Sequence, residues 1–366
     1  MAVGITRRRM LALLCVASGL SFGMIPRPAR ALFINGHIDP QGRHHISGFD
    51  DLGKAYFTQA LPDKAHGFAV HPVRPERLVA LPTLPGTRAP VFDVAAGRQI
   101  ALIESQPGRH FYGHGCFSHD GQYLFTNENI IDTAEGVITV RDGETFAFIR
   151  ELPSSGIGPH DLRLLPDGRT LVVAGGGLRT HPSSGKRELN INEMDSALLF
   201  IDSRTGERVA ERRIPVDKLS IRHLDVGADG TILIACQYKG RREMPKLVGM
   251  QQGQGDIEML SIDDDELWPL RNYTASARIA SNGIGAVSCP RGNRLTFWDL
   301  QQKRYLSSIA ISDVGGLEVS PDGDAFIASA NTGELYHIDA TTLTSRRMGK
   351  TWKQARWTNH MTRVNA

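Results

Sequence analysis

The chain has 366 residues, 41% apolar and 22% charged, which excludes disorder, collagen, coiled coil and a disulfide-stapled miniprotein. By length it is either two domains or one large repeat fold. Its formal net charge of +3, from 42 Lys+Arg against 39 Asp+Glu, would at face value hint at anionic partners.

The positive excess sits at the N-terminus. Residues 1–31 hold Arg7, Arg8, Arg9, Arg27 and Arg30 and no Asp, Glu or Lys. The basic run at Arg7–Arg9, the apolar stretch Leu11–Leu20 and the small-x-small ending Ala29-Arg30-Ala31 have the order of a secretory signal. Paired arginines before an apolar residue resemble a twin-arginine (Tat) signal and imply a periplasmic destination. A membrane anchor would need ~20 apolar residues, more than Leu11–Leu20 supplies. Leu14 is too bulky for a lipobox at Cys15. Cleavage is expected after Ala31, giving a signal of 1–31 and a mature domain of 32–366. That removal leaves the mature chain at −2 and takes away the hint of anionic partners, nucleic acid among them. No later stretch approaches ~18 consecutive apolar residues, so no membrane association is expected after cleavage. The mature chain keeps Cys116, Cys236 and Cys289, an odd number that suggests no disulfide framework.

From residue 33 onward the chain repeats itself. A β-prone run ending in Asp recurs at Asp50, Asp93, Asp142, Asp202, Asp263, Asp299 and Asp339. Between these marks, Asp120-Gly121, Asp167-Gly168, Asp229-Gly230 and Asp322-Gly323 separate two β-rich runs, which is a hairpin signal. About four short strands in each ~40–60-residue period describe a propeller blade. The pattern predicts an all-β, seven-bladed β-propeller, with a six- or eight-bladed ring as the alternative. Residues 33–61 supply three strands of the last blade. The tail Arg356–Met361 is expected to join them as the fourth, closing the ring and removing both open edges.

Histidines recur where the first strands begin: His66, His114, His160, His223 and, in the closing blade, His360. The other two blades are read as carrying Asn282–Gly285 and Val314–Leu317 there. First strands are innermost, so five imidazoles should converge on one mouth of the channel. Insertions at Gly175–Asp195 and Tyr238–Gly255, with the segment Asn127-Glu128-Asn129, are expected on that face, where binding sites gather. Imidazoles from several blades suit zinc, copper or iron. The predicted metal ligands are therefore His66, His114, His160, His223 and His360. Asn127, Glu128, Asp161, Arg179, His181 and Arg222 are the predicted ligand-binding rim. The plainer alternative is that these histidines hydrogen-bond between blades around a water-filled channel.

Ala65–Ala69, Tyr112–Gly115, Gly156–Asp161, Leu171–Ala174, Arg179–Pro182, Ser220–His223 and Phe297–Asp299 together resemble a bacterial family of periplasmic proteins, domain of unknown function 1513. This chain departs from the family at Gly175-Gly176-Gly177, where an asparagine-bearing segment is expected. The resemblance implies a seven-bladed ring similar to YVTN-repeat proteins and to the propeller subunit of quinoprotein amine dehydrogenase. It also implies a link to iron uptake, with imelysin-like and dihaem-like periplasmic proteins as partners. No nucleophile elbow, nucleotide loop or haem-attachment motif is present. The leading expectation is a monomeric, non-catalytic propeller that binds a metal ion or a metal-bearing partner. The alternatives are a metal- or quinone-linked oxidoreductase or hydrolase at the same mouth, with Asp161, Asp225 and Glu128 as the nearest acid or base candidates, and a protein-docking scaffold.

Overall fold

The computed structural model describes residues 31–153 and 156–365. The expected signal falls almost wholly on residues 1–30, outside the described part, while Ala31 opens the first strand and pairs with the last. The described residues form seven four-stranded antiparallel sheets, with strands numbered β1 to β28 in chain order. Among them, no helix is long and apolar enough to cross a membrane.

The strand sequences explain their places. Second strands such as Thr170–Gly175 and Ile232–Tyr238 are mostly apolar runs rich in β-branched residues and are buried from end to end except at Thr170. Fourth strands such as β3 (Ala55–Ala60) put alternate side chains into solvent. Apolar clusters fill the space between neighbouring sheets, the largest running from Val172 through Ile234 to Trp298. The Asp-Gly turns join first and second strands, and Gly121, Gly168, Gly230 and Gly323 all take the positive φ those turns need.

Ring closure follows the sequence. The last strand, β28 (Arg356–Asn365), pairs with β1 (Ala31–Ile38), which continues through β2 (His44–Phe49) to β3. Asn35 locks the seam: its amide donates to Ser329 Oγ at 2.8 Å, and its carbonyl accepts from Thr358 Oγ1 at 2.9 Å.

Three expectations about register need correcting. Asp263 does not end a third strand. In blade 4 that strand is Val248–Gln251, and Leu260–Asp263 instead leads from the fourth strand into a short helix, Asp264–Leu267. Gln251 is the true mark, and it makes the blade spacing more even. For the same reason Gln251–Gly255 does not belong to the loop on the histidine face. It forms the turn between the third and fourth strands, on the side of the Asp-Gly turns, and only residues 239–247 bridge the second and third strands. In blade 5 the inner strand is β20 (Ala277–Ile279), so Asn282 and Gly283 form a turn that leads into the second strand at Ile284.

Candidate metal centre

Five histidines from five blades meet on the ring axis. Nine of the ten ring pairs among His66, His114, His160, His223 and His360 lie between 4.4 and 6.1 Å centroid to centroid. His114, His160, His223 and His360 are buried.

Local backbone irregularity aims them inward. In β4 (Ala65–Val70) the ladder steps from Ala65 to Gly67, leaving His66 on a bulge. In β12 (Pro159–Leu164) it steps from Pro159 to Asp161 and leaves out His160. In β8 (Arg109–Phe117) the residues Tyr112–His114 all oppose Asn127, and in β28 Thr358–His360 oppose Gly36. A bulge twists the strand and redirects the extra side chain. In β16 (Leu219–Val226), however, the bulged residue is Arg222, and His223 takes the next position, which Asp161 holds in blade 3. The five histidines therefore converge without being equivalent.

Gly113 shows how tight the site is. It has φ of 109°, and a Cβ there would sit 2.4 Å from His66 Cδ2. Gly113→Ala is expected to cost about 1–3 kcal/mol through strain and to displace His66. Urea unfolding and metal content would both register the change, and an unaltered variant would show that the packing is looser than described.

The hydrogen-bond network assigns tautomers. Ser276 Oγ donates to the Asn359 carbonyl at 2.6 Å and lies 2.9 Å from His360 Nδ1, so Nδ1 carries the proton and Nε2 holds a free lone pair. Asp161 Oδ1 lies 3.2 Å from His114 Nδ1, an ion-pair distance that favours a proton on that nitrogen. These are the outer partners that orient metal-binding imidazoles. Burial pushes the Asp161 carboxyl up, but Arg163, His114 and the Leu224 amide outweigh it and hold the group well below the usual carboxylate range. Burial, reinforced by neighbouring His114 and Arg222, pushes His66 and His160 well below 6.5. The same holds for His223 and His360, where the neighbouring histidines add to burial. All four are neutral, ligand-ready imidazoles at pH 7.

Five buried ring nitrogens have no partner among the described residues: Nε2 of His66, His114 and His360, and Nδ1 of His160 and His223. Three ligand sets each gather within 4.8 Å: His66/His114/His360, His66/His160/His223 and His114/Asp161/His223. An all-nitrogen donor set suits zinc, copper, iron or nickel. The residues fit such an ion.

The expected rim is spread over several environments. Arg222 lines the mouth beside His66 and His160. Asp161 lies inside the cluster. Asn127 and Glu128 lie within the second strand of blade 2, fully buried, and not in a loop at the mouth. Glu128 receives Arg141 Nη1 at 2.8 Å and the Thr126 hydroxyl at 3.0 Å, as part of the blade interior. Arg141→Ala would strand that carboxylate and should cost about 3–5 kcal/mol, read as a lower urea midpoint. An unchanged midpoint would show that water reaches Glu128. Arg179 is exposed, and His181 Nδ1 caps its own loop through Ser183. Ser276 was not foreseen, because nothing in the run Thr274-Ala275-Ser276-Ala277 marks it as a partner of a residue 84 positions away.

A family model described as "Protein of unknown function (DUF1513)" matches residues 59–364. The chain belongs to that family. Hydrazine synthase of Kuenenia stuttgartiensis is similar to this DUF1513 protein in fold alone, at 16% identity and a TM-score of 0.60, covering 88% of this chain and 96% of that one. No curated protein matches the sequence. The histidine cluster of this DUF1513 member is therefore read on its own geometry.

Proposed function

We propose that this protein is a periplasmic propeller that holds a transition-metal ion (iron, copper or zinc) on the ring axis and serves iron acquisition. One observation carries the metal reading: five buried imidazole nitrogens with no partner point into one small space. Each unpartnered buried polar group costs about 1–3 kcal/mol, a standing cost that packing alone does not repay. An ion bonded to several of them removes it. His66, His114 and His360 are the ligands with best support, since two of them are already oriented through Nδ1. His160 and His223 complete the set from the mouth side.

The periplasmic location is supported by the arginine-rich leader. The iron role, with imelysin-like and dihaem-like partners, is supported by the family resemblance. A pocket opens directly onto His66, His160 and His223, which leaves an approach to the ion of the kind catalytic sites keep and closed structural sites lack. That favours the oxidoreductase or hydrolase as the second reading. Elemental analysis of protein purified from the periplasm is the test. About one equivalent of iron, copper or zinc is expected, and a metal-free protein that also fails to take up these ions at neutral pH would end the metal reading.

A further inference from the structure

The mouth above the histidines is a pocket of about 310 Å³ with a one-sided charge. Lys64, Lys186, Arg222, Lys239 and Arg291 line it, against the single carboxylate Glu188. Lys239 takes that carboxylate at 2.6 Å. The other four cations have no carboxylate within ion-pair distance among the described residues. Lys186 Nζ reaches only the Thr83 hydroxyl, at 3.3 Å. The Arg291 guanidinium lies over the Tyr273 ring at 4.1 Å, and Arg222 Nε is buried without an acceptor.

The opposite mouth is built differently. There Arg278 forks onto Glu318 at 3.2 and 3.1 Å, Asp225 accepts from the Ile279 amide, and Arg163 approaches Asp161. Arg278 and Arg163 have carboxylates within ion-pair distance, and Arg363 donates to the Val319 and Ser320 carbonyls. That mouth sets three cations, Arg163, Arg278 and Arg363, against three carboxylates, Asp225, Glu318 and Asp322, so the surplus lies on the histidine side.

Crowding like charges in a half-buried pocket is unfavourable unless a ligand brings the opposite charge. Burial and Lys186 push Lys64 down, burial pushes Lys186 down, and burial with Arg222 pushes Lys239 down to about 8. Two guanidiniums offer the forked donors that match carboxylate and phosphate oxygens. The Tyr112 hydroxyl lies at the same wall. We propose that this pocket binds a small multivalent oxyanion, a polycarboxylate or a phosphate, directly over the histidine cluster. The site goes beyond the metal reading and is complete without an ion, since none of the five cations belongs to the ligand set.

Titration calorimetry of the purified protein with citrate, and separately with pyrophosphate, tests the proposal. Saturable binding of at least one is expected at low ionic strength, weakened several-fold at 150 mM salt. Tighter citrate identifies a polycarboxylate site, and tighter pyrophosphate a phosphate site. Lys186→Gln and Arg222→Gln should each weaken binding at least 10-fold, while Arg98→Ala on an exposed outer strand should not. Lys186 lies in a surface insertion, so that variant stays informative if Arg222→Gln folds poorly. His114→Ala/His360→Ala should keep the anion affinity within about threefold, which separates this site from the metal centre. No binding of either anion at millimolar concentration, or binding indifferent to Lys186→Gln, overturns the proposal.

Discussion

Replacing His114 and His360 together by alanine should remove at least nine-tenths of the bound metal while leaving the ring folded. Both side chains come from inner strands, both have Nδ1 committed to an outer partner, and both present a free Nε2 to the same space. This leaves one ligand of that trio, and the remaining set of His66, His160 and His223 has no imidazole fixed by a hydrogen-bonded outer partner among the described residues, so it competes poorly for the ion. Asp161→Asn is the subtler variant. It keeps the shape but weakens the hold on the His114 tautomer, and loss of such outer partners lowers metal affinity about 10–100-fold. Elemental analysis and zinc titration read both variants, with circular dichroism as the check on folding. Full metal content in the double variant would remove His114 and His360 from the ligand set.

The metal-free protein should lose stability steeply on mild acidification. In the unfolded chain histidine titrates near 6.5, whereas burial holds His66, His160, His223 and His360 well below that in the ring. Between the two values the unfolded state binds more protons, so stability rises with pH and falls as pH drops below 6.5. Each such histidine contributes up to about 1.4 kcal/mol per pH unit, so four approach about 5 kcal/mol per unit below pH 6. Nearby positive charge from Arg222, Lys186, Lys64 and Arg278 resists protonation, and the Asp161 carboxylate partly relieves it. Asp161 itself adds stability that is lost only at still lower pH. Urea midpoints at pH 7, 6 and 5 in chelator-treated protein would show the slope. A flat profile would mean that water or counter-ions already solvate the cluster.

The blade plan was legible because its marks are local. An Asp at the end of a third strand binds its own turn amides, as Asp93 does with Ala96 and Asp142 with Glu144 and Thr145, so it recurs wherever the turn recurs. The mark misled at Asp263, where an apolar run of similar look packs around a short helix. The convergence of the histidines was legible for the same local reason, but their fine registration was not. A bulge leaves no residue signature strong enough to show that Arg222, and not His223, is the one pushed out of its ladder. The basic pocket is harder still to see. Its cations lie at positions 64, 186, 222, 239 and 291, spread over several blades with only Arg222 and Lys239 sharing one, and ring curvature brings them together. Whole-chain charge hid it, because acidic groups elsewhere balance a surplus that is wholly local.

The seam between β1 and β28 also fixes an order of events. His360 lies on β28, the last strand of the ring in chain order, so the strand that closes the ring also carries a member of the histidine cluster. Until that strand is in place, the N-terminal strands have no inner neighbour and the cluster has a gap. A full histidine cluster thus reports that β28 has found β1. A ring without β28 has neither a closed edge nor a full set of donors.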